Sequence, residues 1–174
     1  MWFHLDLDGI DFHFRISQYR KSIKDIWDEQ WCKVDLTLQN GNWLNYQTSS
    51  EMLLSCEVEQ LNAKLIDLLS NKLQSQEDLE FIEPDLSFIL NPQKDLTLDP
   101  NYTYVAPGHE IVDIDVDVHV HLWNGGLTSN YISLSFGRED IEALDAYLKL
   151  ITNQVQVDDP SIKKLIDNDI IRFD

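Results

Sequence analysis

Residues 111–123, IVDIDVDVHVHLW, decide the fold class. Val112, Ile114, Val116, Val118, Val120 and Leu122 share one parity, while Asp113, Asp115, Asp117, His119 and His121 share the other. A period of two residues is that of a β-strand, in which successive side chains point to opposite faces, so this stretch predicts a long strand with one apolar and one polar face. Burial on one side only belongs to antiparallel sheets, because parallel sheets are covered on both faces and read as unbroken apolar runs.

Downstream, Asn124-Gly125-Gly126 predicts a turn into a returning strand with Tyr131, Leu134 and Phe136. Upstream, Pro92, Pro100, Pro107 and Gly108 surround Tyr102-Thr103-Tyr104, which reads as a packed irregular connection with at most one short strand. Before it, Leu86, Phe88 and Leu90 alternate after Glu83-Pro84-Asp85; Pro84 lacks a ladder donor, so a strand running from Glu80 should be bulged or lie at an edge. The first 16 residues predict a hairpin, Asp8-Gly9 turning Phe3, Leu5 and Leu7 back into Phe12, Phe14 and Ile16, with His4 and His13 on its polar face. Residues 17–30 read as a loop or a short helical turn. A second hairpin follows, in which Val34, Leu36 and Leu38 turn at Asn40-Gly41 into Trp43, Leu44 and Tyr46.

Thr48 and Glu51 have the spacing of a capping box and predict a helix starting near residue 49 and ending near Asn71, with an apolar stripe of Leu54, Val58, Leu61, Leu65, Leu68 and Leu69. Arg138-Glu139-Asp140 opens a second helix with a stripe of Ile141, Leu144, Tyr147, Leu148 and Ile151. Asp159-Pro160 reads as an N-cap with proline at N1, starting a third through Ile162, Leu165, Ile166 and Ile170. The expected class is α+β: a mainly antiparallel β-sheet with two or three helices packed on one face, in a single domain over residues 1–174 whose last part, 152–174, is a helical extension.

Among the 174 residues, 13 Lys and Arg face 31 Asp and Glu, a formal net charge of −18. A negative field of this size repels phosphate and argues against nucleic-acid binding, which needs clustered basic side chains to displace counterions. The opening residues read as a mature strand without a charged leader, and no membrane-spanning run is present, so a cytoplasmic location is expected. Cys32 and Cys56 lack the spacing of a metal or redox pair and read as small apolar residues. No serine or cysteine sits on a nucleophile elbow and no glycine loop cradles a phosphate, so neither a classical enzyme site nor a cofactor is expected.

The polar face of the 111–123 strand admits three readings. It is a solvated sheet face; or a metal site built on His119 and His121 with Asp117 or His109; or a surface for a basic protein partner. The metal reading lacks a carboxylate among Leu122, Trp123, Asn124 and Gly125. Charge placement favours the partner: from Ser75 to Trp123 there are eleven acidic residues and one basic, Lys94. The candidate contacts are Asp113, Asp115, Asp117, His119 and His121, with Glu83, Asp85 and Trp123 as neighbours and Trp123 as a candidate hot spot. The other tryptophans beside strands, Trp31 and Trp43, read as sheet packing.

Five segments belong together: Trp31-Cys32-Lys33-Val34-Asp35-Leu36, Glu51-Met52-Leu53-Leu54, Phe81-Ile82-Glu83-Pro84-Asp85-Leu86, Tyr104-Val105-Ala106-Pro107-Gly108 and Asn130-Tyr131-Ile132-Ser133-Leu134. In order and spacing they resemble the WapI-type immunity proteins of bacterial polymorphic-toxin systems. The resemblance spans residues 3–150 and leaves the tail from Thr152 outside. It implies a small cytoplasmic protein that binds a cognate toxin domain and blocks it without chemistry of its own; the acid strand face points to a nuclease, whose cleft is basic, as that toxin. It carries no set of functional residues, so the candidate surface rests on charge and periodicity. A metal-dependent enzyme and a self-associating structural domain are the competing functions.

Overall fold

The computed structural model describes residues 1–21, 30–123 and 126–173. Its first two strands, β1 (Trp2–Leu7) and β2 (Ile10–Ser17), form the expected hairpin. Asp8 and Gly9 both take positive φ, 52° and 88°, as a twist-matched two-residue turn requires, and the Gly9 amide donates to the Asp6 carboxylate. Strands β3 (Trp31–Asn40) and β4 (Leu44–Leu54) form the second hairpin. Residues 22–29, including most of the 17–30 connection, and Asn124 and Gly125 of the predicted glycine turn lie outside the described residues.

The helix expected from residue 49 begins instead at Ser55 (α1, Ser55–Leu69). Thr48 and Glu51 belong to β4, where they pair with Leu36 and Lys33 of β3. A capping box is a local signature, and the ladder with β3, which carries a register shift between Cys32 and Lys33, overrides it. The reciprocal glutamate is Glu57: its carboxylate accepts the Leu54 amide at 2.7 Å at the helix start and the Ile82 amide at 2.8 Å from a neighbouring segment. Buried Val58, Leu61, Leu65 and Leu68 form the core stripe, as the spacing predicts.

The chain continues through β5 (Glu77–Glu80), β6 (Leu86–Asn91), a two-residue ribbon of β7 (Lys94–Asp95) with β8 (Ile111–Val112), β9 (Asp115–Trp123), β10 (Leu127–Phe136), α2 (Arg138–Ile151), α3 (Pro160–Asp167) and β11 (Ile171–Arg172). Pro84 sits between β5 and β6, where no ladder donor is needed, and β5 forms the sheet edge. Asp159 caps α3 by accepting the Ser161 amide, with Pro160 at the first turn.

The architecture is α+β with antiparallel strands, divided between a five-stranded sheet, β11-β1-β2-β3-β4, and a four-stranded sheet, β10-β9-β6-β5. Inward faces of both sheets and of α1 and α2 share one hydrophobic cluster, with the Phe12 and Phe136 rings meeting edge to face between the sheets. Tyr147 of α2 is fully buried against Phe3 and Phe14, and its hydroxyl accepts the Ile16 amide at 2.9 Å. Between α1 and α2, buried Asn62 donates to the Asp145 carboxylate, which Lys149 also reaches. The tail is tied in: β11 pairs with β1, and Ile162 and Ile171 enter the core.

Candidate partner-binding surface

In β9 the alternation written in the sequence is realised. Ile114 just before it, then Val116, Val118 and Val120, are at most 2% exposed, while Asp115, Asp117, His119 and His121 turn outward. Register then decides their neighbours. His119 stands opposite Ser87 of β6 and Ser133 of β10; Asp117 stands opposite Ile89 and Ser135; Asp115 stands opposite Asn91; His121 stands opposite Tyr131. One strand further out, Glu80 pairs with Ser87 and Asp78 with Ile89. Four carboxylates, Asp78, Glu80, Asp115 and Asp117, thus share the outer face of this sheet.

None of β5, β6, β9 and β10 contains a lysine or arginine. At the periphery, basic side chains are engaged with other carboxylates: Lys64 with Glu77, Lys94 with Asp99 and Arg138 with Asp113. Within the face, compensation is by neutral amides. Asn91 Nδ2 donates to Asp115 at 2.7 Å and to Asp117 at 3.3 Å, and Gln76 donates to Asp78. Amides satisfy lone pairs and leave the charge in place.

The remaining sequence-chosen residues divide. Asp113 lies before β9 and is gripped by Arg138, whose Nε donates to one carboxylate oxygen and whose terminal nitrogen donates to the other. The Arg138 guanidinium, with the Ile114 amide, holds its carboxyl down at about 2. Asp85 is 7% exposed, and burial pushes its carboxyl up against the indole hydrogen bond from Trp123 that favours the ionised form. Its backbone carbonyl accepts the His121 amide at 2.9 Å, so Asp85 braces the end of the face from beneath. Trp123 is 44% exposed beside it, and Glu83 is half-buried in the β5–β6 connection. His119 and His121 flank the Tyr131 ring, at centroid distances of 4.3 and 5.4 Å. Trp43, expected to pack the sheet, is 71% exposed at the β3–β4 turn.

Sequence reasoning missed Asp78, Glu80, Ile89 and Tyr131 as members of this face. The signal lay in pairing: Asp78 and Glu80 alternate with Leu79, but only the β5–β6 register places them beside the β9 carboxylates. His119 and His121 do not converge with Asp117 or His109 as metal donors; among the described residues the one such trio is His4, Asp11 and His13, on the other sheet. A broad carboxylate face edged by histidine and aromatic rings, with no cleft of convergent nucleophile and base, is suited to holding a cationic surface. No helix among the described residues is long and apolar enough to cross a membrane. The family model described as the immunity protein WapI-like family matches residues 3–156. No curated protein matches the sequence.

Proposed function

The chain belongs to the WapI-like immunity protein family, whose members neutralise a toxin, and from that premise we propose that it blocks its cognate toxin domain by covering a basic surface with the outer face of the β10-β9-β6-β5 sheet. The observation that carries this reading is the absence of any lysine or arginine from those four strands beside the carboxylates Asp78, Glu80, Asp115 and Asp117. Like charges gathered on one face raise the energy of the free protein, and a cationic partner relieves that cost on contact. A nuclease domain is the partner chemistry that fits best, since a cleft built for phosphate is basic and a rigid carboxylate surface takes the place of nucleic acid in it. Inhibition is then by occlusion in the cytoplasm, one immunity protein per toxin domain, with no cofactor and no reaction of its own. The chain acts as a single unit, its tail held by β11 on β1.

Asp113, Asp115, Asp117, His119, His121, Trp123, Glu83 and Asp85 take different parts in this surface. Asp115, Asp117, His119 and His121 make direct contact, Trp123 supplies an aromatic anchor at the rim, and Glu83 extends the acidic border. Asp113, already held by Arg138, orients the entry to β9, and Asp85 supports the backbone at its far end. The test is association kinetics with the cognate toxin domain. Asp115→Asn with Asp117→Asn is expected to slow association at low salt and to leave the rate at high salt nearly unchanged. Equal rates at low salt would remove this face from the interface.

A further inference from the structure

The outer face of the other sheet holds a second constellation. In the β1–β2 register His4 stands directly opposite His13 and Asp6 opposite Asp11. Directly opposed residues of an antiparallel pair have Cβ atoms about 4.5–5.5 Å apart. The two imidazoles accordingly lie face to face, centroids 4.4 Å apart at an interplanar angle of 29°. Asp11 precedes His13 by two residues, so it shares this face, and its Oδ1 comes 3.5 Å from His4 Nε2. One donor atom from each of the three residues lies within 4.8 Å of the other two. We propose that His4, Asp11 and His13 form a binding site for a single divalent transition-metal ion of the zinc class, with the remaining coordination position open to solvent.

Two imidazole nitrogens and one carboxylate oxygen are a donor set that such ions favour, and three protein ligands with one open position is a common arrangement for them. Ligand bonds of about 2.0–2.2 Å in a tetrahedron set donor atoms about 3.4 Å apart, so closure from the observed spacing needs side-chain rotation on a backbone already fixed by the ladder. The charged groups around the site are Asp6, opposite Asp11, and Arg172 of β11, opposite Trp2. Arg172 is itself held by both carboxylate oxygens of Asp169. Metal binding takes the neutral imidazole and the ionised carboxylate, so affinity for the ion is expected to rise with pH.

The test uses the full chain without a histidine tag. Calorimetric titration with Zn2+ is expected to give one ion per chain, and Co2+ to give the visible absorption of a low-coordinate site. His4→Gln or His13→Gln should weaken binding by at least about tenfold, Asp11→Asn by less, and the paired histidine change should abolish it, with an unaltered circular-dichroism spectrum. His119→Gln with His121→Gln should leave the affinity unchanged. Absence of stoichiometric binding in the natural sequence overturns the proposal, as does binding that survives His4→Gln with His13→Gln or disappears with His119→Gln and His121→Gln.

Discussion

The two sheets present outward faces built by the same alternation and finished in opposite ways. On the five-stranded sheet, Asp35 is answered within the chain: Arg15 donates to it from Nε at 2.8 Å and from a terminal nitrogen at 2.7 Å, Lys33 stands at 3.9 Å, the Ser49 hydroxyl donates to its other oxygen, and the Arg15 guanidinium lies over the Trp2 ring at 4.5 Å. Burial alone would raise the Asp35 carboxyl; the hydrogen bonds from Ser49 and Arg15 outweigh it and leave it lowered. On the four-stranded sheet, Asp78, Glu80, Asp115 and Asp117 meet no ion-pair partner among the described residues; Gln76 serves Asp78, and Asn91 serves Asp115 and Asp117. Charge paired within the chain, as at Asp35, contributes to folding, whereas the carboxylates of the four-stranded face stay uncompensated among the described residues.

The sharpest way to break this contrast is to neutralise the open face. Changing Asp78, Glu80, Asp115 and Asp117 together to their amides is expected to slow toxin association by about 10–100-fold at low salt, an effect that fades as salt is added, while urea denaturation shows equal or greater stability. Stopped-flow rates across a salt series measure it. The reciprocal change on the closed face should act on stability alone. Asp35→Ala, which removes the hydrogen bonds Asp35 takes from Arg15 and from the Ser49 hydroxyl in a half-buried site, is expected to cost about 2 kcal/mol by urea denaturation and to leave toxin association unchanged.

A smaller effect separates Asp85 from the carboxylates above it. Its folded pKa is raised by burial, so the folded state binds its proton more tightly than the unfolded chain does. The stability this supplies is complete below the unfolded value of about 3.9 and is lost as pH rises through the folded value. Asp85→Asn keeps an oxygen for the Trp123 indole and should flatten the stability profile over that rise, detectable in denaturation curves between acid and neutral pH. The smallest change is expected at Asp113, which is half-exposed. Its folded pKa of about 2 means that its contribution with Arg138 is present above about pH 4 and lost as pH falls toward 2. Arg138→Ala should therefore lower stability near neutral pH by less than about 1 kcal/mol and make little difference at the acid limit.

The hairpins, β9 and the helix stripes were legible in the sequence because each is a short-range pattern: alternation, a two-residue turn, or recurrence at three and four residues. What was hidden depends on partners distant in the chain. Thr48 and Glu51 carry a helix-start spacing, yet the ladder from Trp31 to Asn40 keeps them in β4 and moves the start to Ser55. The acidity of residues 75–123 was visible as a count, but which carboxylates stay uncompensated was not: Asp113 finds Arg138 across 25 positions, and Asp78 and Glu80 join the face only through β6. Asp85, with the same composition signal as Glu83, is buried because its backbone and carboxylate both serve the end of β9. The His4, Asp11 and His13 trio needed the hairpin register, which sets two unremarkable histidines opposite each other.

Strand β5 has a neighbour on one side only, and three of its four residues are Glu77, Asp78 and Glu80. An unpaired rim of this kind is the template on which identical chains stack into fibrils, and rows of like charge discourage that stacking. The acidity of this rim therefore has a second use beyond the proposed interface: it acts as a gatekeeper against edge-to-edge self-polymerisation.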